Sequence, residues 1–591
     1  MKNKMSIRLG FVLLTSVIGI PQADALVSIG NGNYFVGFTD IEHPAPLNTF
    51  QVKIQRTYNS RSQFDGIFGY GWGSDYEAFL LPSADGSVVI QESGGGDKTR
   101  FSPKDFSKSA LDAFIDKIVQ AHVKAGGAAT AKQFKEKITN DANERDEQSR
   151  SLGISFQLPV GLKLYSTQRG DKQIVTVIKD GYVREYADGK QEFFNVKTEV
   201  ADQGVDPNKR RLLKGVFKVG RLADPVRKAQ IFYTYDSKGQ LQSISDKKSQ
   251  TLRLRYNEVG KVAEAQDSTG RKATYAYCDT NGVAYNSAKK CGKGDLIISV
   301  DAEGSKYTHQ YDSLHNLIFI GHPDGTKDEI AYWPVSSAGA GGVKSVKTNN
   351  GVLVEYNYWQ DPKDKNDHYK SEVKTTYSNN TSSTSSYEYW EKRRADGSSY
   401  RYKLSSVVDG ETTTTVYNEC CGQPLQINSS SGVTKFEYYA GTGLPKEKDT
   451  PSETIQWEYH PKFHGKITKV VMLDKGSKSM KSSVFSYDES NGQLTKAKTS
   501  DGKGIALLYD TQGRIQTMVD QDKRKIVFHY ANNSKPSEII QEGVGSISVS
   551  YDKSGNIKDV KSKGGRQIAI SVAAAFQNLL EIIKPAGIQP I

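Results

Sequence analysis

The second half of the chain repeats one arrangement of apolar and polar positions, and each repeat is marked by a tyrosine. A clear unit is residues 233–244, Tyr-Thr-Tyr-Asp-Ser-Lys-Gly-Gln-Leu-Gln-Ser-Ile, in which alternation leads into a polar turn and then an apolar-x-x-apolar step. Such a pattern predicts two short β-strands joined by a tight turn. Spacings of about 21 residues dominate among the marker tyrosines, Tyr235, Tyr256, Tyr277, Tyr311, Tyr332, Tyr417, Tyr438, Tyr459, Tyr487, Tyr509, Tyr530 and Tyr551. The period predicts a repeat architecture with one β-hairpin in each unit.

The turn of each unit has a defined chemistry. In the first unit Asp236 is suited to accept backbone N–H groups, and Gly239 can adopt a positive φ. The same residue types recur in the units marked by Tyr509 (Asp510, Gly513) and Tyr551 (Asp552, Gly555). Because one hairpin is unstable alone, we expect the units to stack sideways into a cooperative sheet.

The chain before and between the repeats differs in pattern. Residues 26–105 alternate as β-strands do, whereas residues 106–150 carry apolar side chains at helical spacing, such as Phe114, Ile115 and Ile118. The latter pattern, broken near residue 126, predicts a helical hairpin inserted into a β protein. Strands are expected again over residues 151–225, regular repeats over 226–335 and 416–591, and an irregular, decorated repeat region with longer strands over 336–415.

Both ends of the chain carry apolar segments. Lys2, Lys4 and Arg8 precede an apolar run that ends near a small-x-small site at residues 23–25, so residues 1–25 are predicted to be a secretory signal peptide. The run is too short to span a bilayer, and no transmembrane segment is expected in the mature chain. At the other end, residues 572–583 fit either a degenerate last repeat or a plug or docking helix.

Composition supports many short strands, because 32 Tyr and 54 Gly suit pleated surfaces and tight turns. The mean hydropathy is −0.58 and the formal net charge is +12. The lysines are scattered through turns beside acidic residues instead of clustering, which disfavours nucleic acid as a partner. Weak attraction to acidic envelope polymers stays open.

The four cysteines form two pairs in the sequence. Cys278 and Cys291 bracket an insertion of 13 residues relative to the repeat period, which predicts a loop closed at its base by a disulfide. Cys420 and Cys421 are adjacent at a repeat turn. They fit a vicinal disulfide or simple packing better than a redox or metal site.

These units resemble the YD repeats of the RHS family over roughly residues 226–590. The segment Arg56-Thr57-Tyr58-Asn59-Ser60-Arg61, followed by glycines around Phe68 and Trp72, resembles the module that commonly precedes such repeats. The resemblance implies a β-hairpin array that forms a spiral strip or a partial or closed shell. In the family's large members the shell encloses a toxin. The boundary rich in Asp-Pro-x-Gly that precedes that toxin has no counterpart in this sequence.

Candidate chemistry is sparse. Trp359, Trp390 and Trp457 are candidates for stacking on sugar rings, although strand packing explains such residues more often. The glycines at 94–96 are interpreted as a turn, and His460 with His464 lack the helix and glutamate of a metal site. We therefore expect no catalytic residue, no metal and no cofactor.

The sequence leaves two functions open. The first is a secreted, non-enzymatic scaffold that binds a glycan or a protein in the periplasm, at the cell surface or outside the cell. The alternative is the β-shell component of a toxin or effector system that encapsulates a polypeptide carried on another chain.

Overall fold

The computed structural model describes residues 24–42, 50–62, 64–92, 98–104, 108–152, 154, 156, 158–167, 172–201, 212–225, 228–248, 250–278, 285–337, 339–348, 351–364, 367–393, 399–419, 422–440, 442–511, 513–530, 536–551, 557–563, 568 and 570. Over these residues the fold is mainly β, and 36 strands belong to one sheet that closes on itself. The predicted class, a β-hairpin array with a helical insertion, is confirmed.

The first strands form a separate unit, here called the N-terminal sheet. Their bounds are β1 (Asp24–Ser28), β2 (Asn33–Glu42), β3 (Lys53–Asn59), β4 (Asp65–Gly66), β5 (Gly69–Tyr70) and β6 (Trp72–Ser74). The antiparallel order is β1-β2-β3-β6, and β4 pairs with β5 in a small hairpin. Side chains alternate between buried and half-buried along most of β2, as expected for a strand with one face in a core.

The next strands close a ring. They are β7 (Phe79–Pro82), β8 (Val88–Gln91), β9 (Lys98–Pro103), β10 (Lys163–Ser166), β11 (Ile174–Ile178), β12 (Gly181–Glu185), β13 (Gln191–Ala201) and β14 (Leu212–Asp224). Each pairs antiparallel with the next, and β14 returns to β7 through Phe217–Leu80 and Lys218–Phe79. Because β14 is 13 residues long, the end of the same edge also accepts the first repeat strand.

The helical insertion lies between β9 and β10. It contains α1 (Lys108–His122), α2 (Ala131–Asn140) and α3 (Ala142–Ser151). The chain reverses between α1 and α2 near Gly126, which has a φ of 98°. Phe114, Ile115 and Ile118 form the core of the insertion with Ile138 of α2. The predicted pair of helices is present. A third helix, α3, was not predicted, because its polar sequence has no apolar residues at helical spacing.

The repeats continue from β14 as a strip of antiparallel hairpins. Its first part is β15 (Ala229–Tyr235), β16 (Leu241–Ser245), β17 (Thr251–Tyr256), β18 (Val262–Asp267), β19 (Lys272–Tyr277), β20 (Tyr285–Asn286), β21 (Cys291–Gly292), β22 (Leu296–Val300), β23 (Lys306–Tyr311), β24 (Leu317–Gly321), β25 (Lys327–Tyr332) and β26 (Val343–Lys347). The short strands β20 and β21 form a hairpin of their own within the insertion between β19 and β22.

Four longer strands follow: β27 (Leu353–Gln360), β28 (His368–Thr376), β29 (Ser382–Arg393) and β30 (Ser399–Val408). They have 8, 9, 12 and 10 residues, whereas β26 has 5. Their ends therefore extend past the flanking strands, and we call this extension, residues 356–360, 367–371, 387–393 and 399–402, the tongue. The described strands of the region 336–415 pair with each other and with the flanking strands of the strip, with one register shift between Trp390 and Glu391.

The last part of the strip resumes the short repeat. It comprises β31 (Glu411–Tyr417), β32 (Pro424–Ser429), β33 (Gly432–Tyr438), β34 (Pro445–Asp449), β35 (Glu453–Tyr459), β36 (Ile467–Asp474), β37 (Met480–Tyr487), β38 (Leu494–Thr499), β39 (Gly504–Tyr509), β40 (Ile515–Asp520), β41 (Lys525–Tyr530), β42 (Pro536–Gln541), β43 (Gly545–Tyr551) and β44 (Ile557–Lys563). The expected degenerate last repeat at 572–583 and the signal peptide up to residue 23 lie outside the described residues.

The marker tyrosine performs the same task in successive units. It ends its strand after a one-residue register shift, and its hydroxyl donates to a backbone carbonyl about 15 residues earlier, in the preceding hairpin. These bonds are 2.7–3.0 Å long and join Tyr235 to Val219, Tyr256 to Leu241, Tyr277 to Val262, Tyr311 to Leu296, Tyr332 to Leu317, Tyr509 to Leu494 and Tyr530 to Ile515. Tyr358, which lies inside β27 and is not a marker tyrosine, makes the same kind of bond to Val343 at 3.0 Å. A tyrosine hydroxyl that loses water needs such a partner, so the repeat joins each hairpin to its neighbour.

Candidate functional site

The N-terminal sheet lies against one face of the strip, the face that carries the marker tyrosines, which we call the inner face. One hydrophobic core includes Val36, Ile54 and Trp72 of the sheet together with inner-face residues from Ile231 to Tyr356. A long strip would otherwise expose this apolar face to water, and the sheet covers it. The first half of the array and the N-terminal sheet therefore share one core.

A buried ion pair lies at the centre of this contact. The Arg56 guanidinium donates to Asp40 at 2.7 Å through Nε and to Ser299 Oγ at 2.6 Å through Nη2. Tyr275 Oη donates to the same Asp40 carboxylate at 2.9 Å. Arg56 is fully buried; burial lowers its pKa, but the adjacent Asp40 outweighs burial, and the pKa of Arg56 is raised. Two strip strands, β19 and β22, are thus bonded to two strands of the N-terminal sheet.

Aromatic side chains extend the contact. Trp72 Nε1 donates to Tyr311 Oη at 2.9 Å, and that hydroxyl donates onwards to Leu296 O at 2.8 Å. Tyr58 Oη accepts from the Leu317 amide at 2.9 Å. Burial raises the pKa values of Tyr58 and Tyr311 far above the ordinary tyrosine value, so both stay neutral donors. The hydroxyl of the marker tyrosine Tyr311 therefore bonds both to the preceding hairpin of the strip and to the N-terminal sheet.

Backbone groups bond the turns of successive units to the N-terminal sheet and its neighbouring loops. The amides of Val262, Ala302 and Val343 donate to the carbonyls of Ile67, Asp40 and Gly32, respectively, at 2.8–2.9 Å. Ser371 Oγ donates to Ile29 O at 2.7 Å. Among the described residues, Ser371 is the last strip residue with a hydrogen bond to this sheet or its loops.

The inner face of the second half of the strip also carries tyrosines and apolar side chains, but these form a separate cluster. Its own cluster contains Ile455, Trp457, Phe485, Leu507 and Phe528. The marker tyrosines there are half-buried, and burial raises the pKa of Tyr487 and of Tyr509 to about 12. The described part of the N-terminal sheet contributes no residue to this cluster.

A cavity of about 340 Å³ lies where the N-terminal sheet, β14 and the first repeat meet. Glu77 lines it, with Oε1 accepting from the Ile67 amide at 2.6 Å and Oε2 from Ser74 Oγ at 3.0 Å. Burial raises the pKa of Glu77 to about 7 and lowers the pKa of the nearby Lys218. Perturbed groups in a cavity mark candidate functional sites, but both Glu77 oxygens accept hydrogen bonds from the chain itself, which favours a structural role at this junction.

The opposite, outer face of the strip carries a cluster of rings on the tongue. The Trp359 and His368 ring centroids are 5.5 Å apart, and His368 stacks on Trp390 at 5.2 Å. Trp359 is 46% exposed, whereas Trp390 is half-buried beneath His368 and Lys403. Trp457, the third candidate, is 7% exposed and packs in the second core, in keeping with the strand-packing interpretation.

The other predicted residues have defined places. Cys278 and Cys291 are joined by a disulfide at the base of the insertion. Asp236 Oδ1 accepts from the amides of Lys238 and Gln240 at 2.9 Å, and Gly239 has a φ of 74°. Asp510 accepts from the Arg514 amide at 2.9 Å, and Gly513 has a φ of 78°. Tyr551 ends β43, while Asp552, Gly555, Cys420 and Cys421 lie outside the described residues.

His460 caps a turn: its Nδ1 accepts from the Lys462 amide at 3.1 Å, and Nε2 lies 3.2 Å from Glu489. Within the described ranges, no group of three or more His, Cys, Asp or Glu side chains is arranged to hold a metal ion. No helix in the described part of the chain is long and apolar enough to cross a membrane.

Sequence reasoning missed the ion pair of Arg56 with Asp40 and the cavity around Glu77. A signal for the first was present, because Asp40 and Arg56 are charged residues within otherwise alternating strands. Tyr275, which also donates to Asp40, is 235 residues away from it in the sequence, so only the fold brings these residues together.

Comparison with known proteins agrees with this geometry. Residues 464–589 match the Teneurin YD-shell family model, and residues 25–98 match a domain of unknown function, DUF6531. No curated protein matches the chain. Solved structures that match include TcdB2-TccC3-TEV (11% identity, TM-score 0.35, 93% of this chain and 28% of that chain) and the Photorhabdus luminescens Tc holotoxin pore (10% identity, TM-score 0.34, 90% and 26%).

The chain thus spans about a quarter of the length of those structures. The repeat itself, with its tyrosine hydroxyl bonded to the preceding hairpin and its aspartate-capped turn, coincides with the matched YD-shell segment. The chain therefore carries YD repeats, and residues 464–589 match the YD-shell family model.

Proposed function

We propose that this protein is a non-enzymatic YD-shell scaffold whose inner face holds a polypeptide. The observation that carries the proposal is the contact between the N-terminal sheet and the first half of the strip. There, the tyrosine-bearing face already binds a folded β segment through Trp72, Tyr58 and the Arg56 ion pair. The inner face of the first half of the strip thus binds polypeptide, and the inner face of the second half carries the same kinds of side chain, tyrosines and apolar residues.

The second half offers the surface for a polypeptide from another chain. Tyr487, Tyr509 and Tyr530 recur along it with half-buried rings. Their hydroxyls are occupied by backbone carbonyls, so a ligand would meet ring faces and apolar side chains, and burial of apolar area would drive binding. Enclosed polypeptide cargo fits this chemistry, and we place the protein in the periplasm, at the cell surface or outside the cell.

Site-specific photocrosslinking tests the proposal. A photoreactive phenylalanine analogue at position 509 samples the inner face, and the same analogue at position 508 is the matched control, because Leu508 is 61% exposed on the outer face. In producing cells we expect a discrete crosslinked polypeptide with the analogue at 509 that is absent at 508. Crosslinking that is equal at both positions, or absent from both, would refute inner-face binding.

A second candidate function is attachment of the scaffold to a glycan or an envelope protein through the outer face. The exposure of Trp359 within a ring cluster favours it. Pull-down from envelope extract, with a glycan array in parallel, separates a glycan from a protein partner.

A further inference from the structure

The tongue presents its two faces to different surroundings. Tyr389 packs against Gly30 and Tyr358 against Gly32, so these residues belong to the inner face. Successive side chains in a strand point to opposite faces, which places Trp359 and Trp390 on the outer face. The register pairs Trp359 with Lys370 and Trp390 with His368, so directly opposite residues share that face.

The side chains of the outer cluster lie in layers, with Trp390 covered and Trp359 exposed. His368 and Trp390 stack with an angle of 13° between their planes, and the Lys403 ammonium lies 4.1 Å from the Trp390 centroid. Trp390 is thereby covered and serves as support. Trp359 meets His368 edge to face at 82°, which leaves the indole of Trp359, 46% exposed, as the accessible aromatic surface of the cluster.

His368 is held by a carboxylate at each ring nitrogen. Nδ1 lies 3.1 Å from Asp361 and Nε2 lies 2.7 Å from Glu388. Both nitrogens can donate to carboxylates only when the imidazole is protonated. Burial lowers the pKa of His368, but the two carboxylates outweigh burial and the pKa is raised. The two carboxylates therefore hold the His368 ring in place beside Trp359.

The carboxylates of the cluster are already engaged. Asp361 and Glu388 both contact the His368 ring, the Lys403 ammonium lies over the Trp390 ring, and Lys370 stands opposite Glu388 in the register. A ligand that binds by charge would have to displace one of these contacts. A neutral sugar ring needs only an exposed aromatic face for its C–H groups and nearby polar groups for its hydroxyls.

We propose that the outer face of the tongue is a carbohydrate-binding site for neutral hexose-containing glycans, with the Trp359 indole as the stacking platform. Asp361 and Glu388 are the polar groups beside the platform, and His368 positions it. This inference rests on the second candidate function, attachment through the outer face, and is independent of what the inner face holds.

Affinity electrophoresis of the full chain tests the site. The gels contain a neutral β-glucan, a neutral α-glucan or a neutral mannan, with alginate as the anionic comparison. We expect wild-type retardation by at least one neutral polymer, a loss of about tenfold in affinity for Trp359→Ala, and partial recovery for Trp359→Phe. The matched control Leu508→Ala removes an apolar side chain that is more exposed, at 61%, from the outer face of the other half, and this variant should bind as wild type does.

Three results would overturn the proposal: no retardation by any neutral polymer, unchanged retardation of Trp359→Ala, or retardation by alginate alone. Circular dichroism of each variant distinguishes a lost site from a lost fold. The photocrosslink from position 509 reports on the inner face separately, so failure of the glycan site leaves that result interpretable, and the reverse also holds.

Discussion

Replacing Arg56 tests whether the N-terminal sheet is bonded to the repeats in the way the structure describes. In Arg56→Leu the Asp40 carboxylate, 1% exposed, keeps Tyr275 as its donor but loses both hydrogen bonds from the guanidinium. Ser299 loses its partner as well. Breaking a buried ion pair by removing one member costs about 3–5 kcal/mol, because the other charge is left uncompensated.

The double variant Asp40→Leu/Arg56→Leu removes both charges. It leaves the Tyr275 and Ser299 hydroxyls without these partners, at about 1–2 kcal/mol each at most, so it should be less destabilised than Arg56→Leu. The surface control is Arg100→Leu. Arg100 lies 2.9 Å from Asp85 in an ion pair that is partly exposed to solvent, so this change should lower the free energy of unfolding by no more than about 1 kcal/mol.

Urea unfolding followed by tryptophan fluorescence is the assay, since Trp72 lies 4.6 Å from the Arg56 guanidinium and urea does not screen charge. Proteolysis under native conditions provides a second readout, in which Arg56→Leu should release fragments of residues 26–104 before the strip is cut. The reasoning is refuted if Arg56→Leu costs less than about 1 kcal/mol, or if the double variant is as unstable as the single one.

Two further predictions concern the junction and the insertion. Burial raises the pKa of Glu77 from its ordinary value of 4.5 to about 7, so folding favours the protonated acid. The free energy of unfolding should therefore fall by up to about 3 kcal/mol as pH rises from about 4.5 to about 7. In urea titrations at several pH values, Glu77→Gln should abolish that pH dependence. A slope of the opposite sign in the wild type would contradict it. Removing the disulfide as Cys278→Ala/Cys291→Ala, which opens a loop with a sequence separation of 13, should cost about 3 kcal/mol. Cys278 and Cys291 should also resist alkylation before reduction, and alkylation of these two residues in the unreduced protein, located by mass mapping, would show that the bond is absent.

The local design of the repeat was predictable from sequence because it depends on neighbouring residues. Asp236 and Gly239 form the turn that their types favour, and the tyrosine period fixes one hairpin per unit. Alternation of side chains along a strand could also have assigned the tryptophans to faces. Trp457 precedes Tyr459 by two residues and shares its inner face, whereas Trp359 follows Tyr358 by one and lies on the outer face.

What joins distant parts of the chain was not predictable. Arg56 meets Ser299 across 243 residues, and Ser371 meets Ile29 across 342. No local sequence pattern specifies contacts between residues that lie so far apart in the chain. For the same reason the burial of Glu77, and hence its titration near neutrality, could be found only in the folded chain.

Native mass spectrometry of the protein purified from the cells that make it tests the central proposal most directly. A scaffold that holds a polypeptide should give an intact mass above that of its own mature chain, and collisional activation should eject one defined second polypeptide. The mass of the mature chain alone, in every preparation from producing cells, would contradict the account.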